Sequence, residues 1–298
     1  MSSPLIFTFG EALWDCLPAG LFFGGAPINA AYHLTRRGAR VAPITSVGRD
    51  FLGDEALRRM ENTGLDLSWV YRDNEWPTGA VEVELDDQGS ARYQFLTPVA
   101  WDRIVVTADL ARAADKAEAL IFGTLAQRSE QNHRELEKLL KKDHWLRVYD
   151  VNLRPPYDDP ALVFSLAQYA DLLKLNDDEA ISLAQTSTSS EPLQEACRIL
   201  GEKTSAAFIC ITRGKEGGLL WVRETGQFHH EKGVPIKVAD TVGAGDAFLA
   251  ALTGSFLQKE SPQESLRQAT RLGEYMATRR GAMPDYQWSE VPGLDEPK

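Results

Sequence analysis

Short, mostly apolar blocks alternate with stretches of helical periodicity over most of the chain. Residues 5–9, 41–47, 119–122, 146–151, 172–175, 207–211 and 218–222 have strand length and few polar positions, the pattern of strands buried on both faces. Between them apolar residues recur every three or four positions. The stretch 27–37 opens on a proline, 50–62 stops just before Gly64, and 129–142 sets Leu136, Leu139 and Leu140 on one face. Stretches 191–202, 245–257 and 262–278 complete the helices. Alternating β and α predicts an α/β fold built on a mostly parallel, doubly wound sheet with helices on both faces. One stretch breaks the rhythm. Residues 78–95 alternate with period two on both sides of Asp86-Asp87-Gln88-Gly89, which predicts an antiparallel hairpin with a four-residue turn. Such an insert serves as a lid over a ligand, as an edge that pairs with another subunit, or as plain surface. No repeat or long linker divides the chain, so a single domain over residues 1–298 is expected.

Composition narrows the class without naming the chemistry. The 298 residues are 43% hydrophobic and 25% charged, as in globular proteins. No apolar run approaches the ~20 residues of a membrane helix. Lys and Arg number 32 against 43 Asp and Glu, a net charge of −11, which argues against nucleic acid as a partner. A small anionic ligand is still compatible, because the amides of one helix N-terminus bind phosphate inside an acidic protein. Cys16, Cys197 and Cys210 are scattered, with no C-x-x-C, so neither a disulfide framework nor a zinc ribbon is expected. The N-terminus carries no basic segment ahead of its short apolar stretch; no secretory leader is expected and the chain reads as cytoplasmic.

Two glycine-rich segments carry the candidate chemistry. Asp240-Thr241-Val242-Gly243-Ala244-Gly245-Asp246 runs straight into an apolar helix. Glycines at a helix start let the backbone turn tightly and aim several N–H groups at one point, where the helix dipole adds positive potential. A carboxylate beside such an anion hole can take a hydroxyl proton while the amides stabilise a migrating phosphoryl group. The plain alternative is that Asp246 caps a helix after a glycine turn. No G-x-x-x-x-G-K-[ST] occurs, and Phe248 stands where a dinucleotide fingerprint would have its third glycine. The second segment is Gly24-Gly25-Ala26-Pro27-Ile28-Asn29. Its glycines permit close approach of a ligand to backbone, and Asn29 offers a donor and an acceptor on the first turn; a tight loop–helix junction is the alternative.

Together the two segments resemble the paired motifs of the ribokinase-like (PfkB) carbohydrate kinases. Four further elements, in order, are similar to that family's: Val47-Gly48-Arg49-Asp50 with Gly53, Asn176-Asp177-Asp178-Glu179, Thr212-Arg213-Gly214 with Gly217, and Arg280-Gly281-Ala282 with Pro284. The resemblance covers nearly the whole chain. It implies that Asp246 is the base and that Gly243, Ala244 and Gly245 form the anion hole for the γ-phosphoryl group of ATP. It places Asn176, Thr212, Gly214 and Gly217 on the nucleotide and Glu179 on Mg²⁺ through water, hard oxygen suiting a hard cation. For Glu179 the alternative is an exposed carboxylate at a helix start. Asp15, Gly24, Gly25 and Asn29 would bind sugar hydroxyls. Arg154 would serve the acceptor or phosphate side, or simply pair with Asp150. The resemblance further implies a monovalent cation, K⁺, at Asp240 with the carbonyls of Val242, Met276, Arg279 and Gly281. It also implies an adenine-side loop at 280–284, a β lid from segments near 12–25 and 70–100, and a homodimer paired through its lids.

Within that family, Gly10-Glu11-Ala12-Leu13-Trp14-Asp15 and Tyr149-Asp150-Val151-Asn152-Leu153-Arg154 look most like fructokinases. A 2-keto-3-deoxygluconate kinase would place an arginine two residues after an aromatic on the lid strand. Here Leu96 and Thr97 follow Phe95, and Arg92 falls on the opposite face of a strand. A neutral ketohexose is therefore expected. A non-catalytic, sugar-binding regulator on the same scaffold is the reading from another class.

Overall fold

The structure is a computed structural model describing residues 3–17, 19–85, 91–187 and 191–294, with the side chains of 83–85 and 91–93 left aside. The turn at 86–89 and the Arg92 side chain lie outside the described residues. The strands are β1 (Leu5–Phe9), β2 (Leu13–Leu17), β3 (Gly20–Gly24), β4 (Arg40–Gly48), β5 (Val70–Asp73), β6 (Gly79–Leu85), β7 (Ala91–Phe95), β8 (Ala119–Gly123), β9 (Leu146–Asp150), β10 (Leu172–Asn176), β11 (Phe208–Thr212), β12 (Gly218–Val222) and β13 (Gln227–Glu231). The helices are α1 (Ala26–Arg36), α2 (Phe51–Asn62), α3 (Ala108–Ala113), α4 (Glu130–Leu140), α5 (Pro160–Ala167), α6 (Asp177–Ala184), α7 (Pro192–Lys203), α8 (Ala244–Leu257) and α9 (Pro262–Ala277).

Nine strands form one sheet in the order β13-β12-β11-β10-β9-β8-β1-β4-β5. All neighbours are parallel except at the β11–β12–β13 end, which is antiparallel. Side chains of each central strand alternate between two cores. Ile6, Ile121, Val148, Leu172 and Cys210 face the layer of α1, α8 and α9. Phe7, Phe122, Tyr149, Leu173 and Ile211 face the opposite helices. That two-sided burial is why these strands read as unbroken apolar blocks.

A second, four-stranded sheet in the order β3-β2-β6-β7 covers one end. Its two hairpins, β2–β3 and β6–β7, are antiparallel, and they join through a parallel β2–β6 pair. β6 and β7 of the 78–95 insert are thus half of a small sheet whose other half is the β2–β3 hairpin, and these are the segments expected to form the lid. Trp101 fills the space beneath it. A Cβ on Gly79 would meet the Trp101 Nε1 at 2.3 Å, so the lid sits on the ring with no room for a side chain.

Helix α8 is apolar all round and buried from Ala247 to Ser255. Its small residues permit close packing against α1 and α9; a Cβ on Gly254 would stand 2.4 Å from Cδ of Arg37. The buried Arg37 guanidinium donates from Nη2 to Ser255 and Gln258 and stacks over Trp288, while its Nε and Nη1 find no partner among the described residues. The consequence for the site is that α1 and α8 are locked side by side, with their N-termini at the carboxyl edge of the sheet.

Candidate active site

In a parallel sheet the strand carboxyl ends converge on one edge. Here that edge carries Glu11 after β1, Thr124 after β8, Asp150 on β9, Lys174 and Asn176 on β10, and Thr212 on β11. Helix α8 enters over this edge through Gly243 at φ +76°, its N-cap. A Cβ there would stand 2.6 Å from Cα of Ala282, so only glycine lets the turn close against the 280–284 loop. Helix α1 enters through Gly25 at φ +111°, where a Cβ would lie 2.4 Å from the Glu11 carbonyl. The two N-termini meet: Asn29 Nδ2 donates to Asp246 Oδ2 at 2.8 Å across 217 residues of sequence.

Two cavities flank the glycine turn. One, of about 330 Å³, is walled by Glu11, Asp15, Gly25, Asn29, Asn152 and Arg154, with Phe95 from the lid and Asp246 and Gly245 beside the helix start. The other, of about 920 Å³, is walled by Asn176, Thr212, the Gly214–Gly217 loop, the 233–238 segment and one face of α9. Gly245 borders both. A phosphoryl group passing from the larger to the smaller would cross the α8 amides.

The sequence-expected residues fall into place unevenly. Asp246, Gly243, Gly245, Asp15, Gly25, Asn29 and Arg154 line the smaller cavity; Asn176, Thr212, Gly214, Gly217 and Ala244 line the larger. Gly24 makes room for Asn29: a Cβ there would come within 3.2 Å of Oδ1. That Asn29 Oδ1 is buried with no partner among the described residues, leaving an acceptor for a ligand hydroxyl. The 280–284 loop packs behind the glycine turn. Ala282 and Pro284 carbonyls accept from or face His33 and Tyr32 of α1, and burial lowers His33 to about 3.

Two of the plain alternatives fall away, and the groups of the expected cation site have partners of their own. Arg154 does not pair with Asp150; its Nη1 donates to the Leu153 carbonyl, and Asp150 Oδ1 instead accepts from Lys174 Nζ at 2.9 Å. Glu179 is not an exposed helix-start carboxylate. It is buried in a capping box, accepting from the amides of Asn176 and Leu153 at 2.8 and 2.7 Å while Asn176 Oδ1 accepts the Glu179 amide. The Met276 carbonyl is engaged in ending α9, accepting from Arg279 N at 2.8 Å, while Asp240 ties Val242 N to Gly281 N.

Sequence reasoning gave Glu11 and Lys174 no role. Lys174 is a single charge inside the apolar block 172–175, and that oddity was the available signal. It is buried, and a Cβ on Gly245 would come within 3.4 Å of its Nζ. Burial pulls its ammonium down, but Asp150, Glu179 and Asp246 carry it above its ordinary value. Removing one member of a buried pair strands the other, at a cost of about 3–5 kcal/mol. Lys174→Met is accordingly expected to lower the unfolding free energy by that amount, read from the shift in denaturant midpoint at constant m, and the double variant with Asp150→Leu to recover most of it.

Burial pushes Asp246 up to about 6; Asp150 adds to the rise, and Asn29, Lys174 and Arg154 hold it back. Burial also raises Asp15, against Arg154. An acid must be ionised to accept a proton, so kcat/KM for the acceptor should fall about tenfold per unit as pH drops below ~6 and level off above it. A profile flat to pH 4.5 would show that no group raised to about 6 must be ionised for turnover.

The model of the pfkB carbohydrate kinase family matches residues 16–288. The chain belongs to that family of sugar kinases. It is 28% identical over 296 residues to a fructokinase of Salmonella typhimurium, covering 93% of this chain and 94% of the relative. Among solved structures it is similar to a sugar kinase of Pyrococcus horikoshii, with a TM-score of 0.83, 23% identity and 98% of each chain covered. It is also similar to an ATP-bound fructokinase of Xylella fastidiosa, with a TM-score of 0.83, 22% identity and 96% of each chain covered. The ribokinase fold is thereby shown: a large, mostly parallel sheet flanked by helices, with a small four-stranded sheet at one end.

Proposed function

We propose that this sugar kinase uses ATP to phosphorylate a primary hydroxyl of fructose. The observation that carries the reading is the Asn29–Asp246 bond beside the Gly243–Gly245 turn, a base held at the border between two cavities. The sugar would lie in the smaller cavity against Asp15, Gly25 and Asn29, and the nucleotide along Asn176 and the Thr212–Gly217 loop. Asp246 takes the hydroxyl proton as the oxygen attacks in line, and the α8 amides stabilise the charge on the moving phosphoryl group. Lid closure over β2–β3 and β6–β7 excludes water, which suppresses ATP hydrolysis.

Mg²⁺, when bound with the triphosphate, neutralises charge on its oxygens. Both Glu179 oxygens already accept a backbone amide, so Glu179 fits the hydration shell of the ion better than its inner sphere. A K⁺ ion would sit beside Asp240 at the glycine turn, where both Asp240 oxygens, like those of Glu179, already accept a backbone amide. Leu17, Leu21 and Phe22 stand exposed on the lid and supply the apolar face for pairing with a second copy; a monomer in sedimentation at micromolar concentration would end that part.

Fructose is favoured by the names of the Salmonella typhimurium and Xylella fastidiosa relatives and by the uncharged Leu96-Thr97 step of the lid. Arg154 on the cavity wall favours a second acceptor, the acid 2-keto-3-deoxygluconate. ATP consumption with Mg²⁺ is the test, against fructose, 2-keto-3-deoxygluconate, ribose, glucose and adenosine. Turnover on fructose is expected. Turnover on the keto-deoxy acid instead would assign Arg154 to its carboxylate, and sugar binding with no ATP consumption would replace the enzyme by a regulator.

A further inference from the structure

A small chamber opens behind the sugar cavity, between the ends of β1 and β9. It has room for one water-sized group, about 10 Å³ for its centre. Its walls are Glu11 on one side, Asp150 on the other, and Phe122 to Leu125 of β8 and its following turn between them. Glu11, Ala26, Leu125 and Asn152 border both the chamber and the larger sugar cavity, so the two adjoin.

Both carboxyl groups leave one oxygen without a hydrogen bond: Glu11 Oε2 and Asp150 Oδ2 are fully buried and have no partner among the described residues. Buried carboxyl oxygens without a donor are costly and rare. Nothing else on the chamber wall answers them. The Thr124 hydroxyl is committed to Tyr149 and the Val151 carbonyl, and the Lys174 ammonium serves the other oxygen of Asp150.

We propose that one hydroxyl of the acceptor sugar enters this chamber and is held by Glu11 and Asp150 together, which makes Glu11 a specificity-determining residue. The inference rests on the sugar-kinase reading but not on which sugar is used. A hydroxyl has the chemistry required: it donates one hydrogen to Asp150 Oδ2 and accepts one from Glu11 when Glu11 carries a proton. Burial favours that protonated form, raising Glu11 to about 7, with Asp246 adding to the rise and the Glu11 and Ala26 amides and Arg154 opposing it. A cation is a poorer occupant, because Asp150 is already neutralised by Lys174 and the chamber is lined by Ile121, Phe122, Leu125 and Leu249. A methyl or hydrogen in place of the hydroxyl would leave two buried acids unanswered, which is how polar sites reject deoxy analogues.

The test is a cycle of protein and substrate changes: wild type, Glu11→Leu and Glu11→Gln against fructose and each of its monodeoxy derivatives, read as kcat/KM for the sugar and KM for ATP. In wild type one deoxy position is expected to cost about 10- to 100-fold. In Glu11→Leu that same deletion costs nothing further, while the other positions keep their penalties. Glu11→Gln, which can still donate and accept, retains most of the discrimination, and KM for ATP stays within twofold in both variants. Equal penalties at every position in wild type and Glu11→Leu would overturn the proposal, as would a rise in KM for ATP matching that for sugar. If wild type prefers another acceptor, the cycle is run with that acceptor's deoxy derivatives. If it binds sugars without phosphorylating them, the kinase reading fails and the same cycle read in Kd by calorimetry still decides the chamber. Binding of no sugar overturns both.

Discussion

Asp246→Asn is expected to lower kcat by about 10²–10⁴-fold, the usual worth of a positioned general base, while sugar and ATP still bind. Asparagine has the same shape and keeps an oxygen to accept the Asn29 amide, so the geometry at the α8 start persists. What it lacks is a lone pair basic enough to take the hydroxyl proton. The substitution should also stabilise the fold at alkaline pH. Asp246 is raised in the folded protein from 3.8 to about 6, so the folded state binds its proton more tightly than the unfolded state does. That preference is fully present below the unfolded value and is lost as pH rises through about 6. A neutral amide has no such loss. Thermal unfolding at pH 4 should therefore hardly distinguish the two proteins, and at pH 8 the variant should melt higher. A variant that loses sugar affinity and stability together would mark Asp246 as a structural cap.

Gly243→Ala is expected to hurt both the chemistry and the fold. The residue sits at φ +76°, and its new Cβ would press on Cα and Cβ of Ala282 at 2.6 Å. Left-handed backbone costs a non-glycine residue about 1–2 kcal/mol, and overpacking against the loop adds about 1–3 kcal/mol. Relief requires the turn to move away from the loop, which swings the α8 amides off the migrating phosphoryl group; loss of one such donor costs about 10²–10³-fold in kcat. Gly226→Ala is the control. That glycine has φ +67° in the β12–β13 turn with nothing near its added Cβ, so it should lose about 1–2 kcal/mol from conformation alone with unchanged kinetics. Equal effects at the two glycines would show that position 243 contributes only backbone strain.

The central strands and α8 were legible in the sequence because two-sided burial leaves unbroken apolar blocks. The lid was legible only in part. Its β6–β7 hairpin alternates cleanly, whereas β2 and β3 were expected only through the family resemblance, since Gly20-Leu21-Phe22-Phe23-Gly24 has apolar residues on both faces, Leu21 and Phe22 being exposed. Helix α6 was hidden by its acidic start. Asn176 followed three residues later by Glu179 is a capping box, a signal that propensity alone does not weigh. The glycine turns and Asp246 were readable as motifs. Glu11 was not, because its importance comes from which strand ends the sheet order makes neighbours; Lys174 offered only its oddity as a lone charge in an apolar block, which gives no partner.

Of the residues lining the two cavities on either side of the α8 turn, Thr241 and Gly245 are the ones in common. Under the proposed function, the acceptor side is built by the hairpins of the small sheet and the β1, β8 and β9 ends, and the donor side by α9, the β11–β12 turn and the 233–238 segment. A change of diet would then fall on one half of the molecule without retuning the other. Exchanging the two hairpins would leave the proposed nucleotide half as it stands, and the same half-by-half exchange would serve to redirect the enzyme toward a new acceptor.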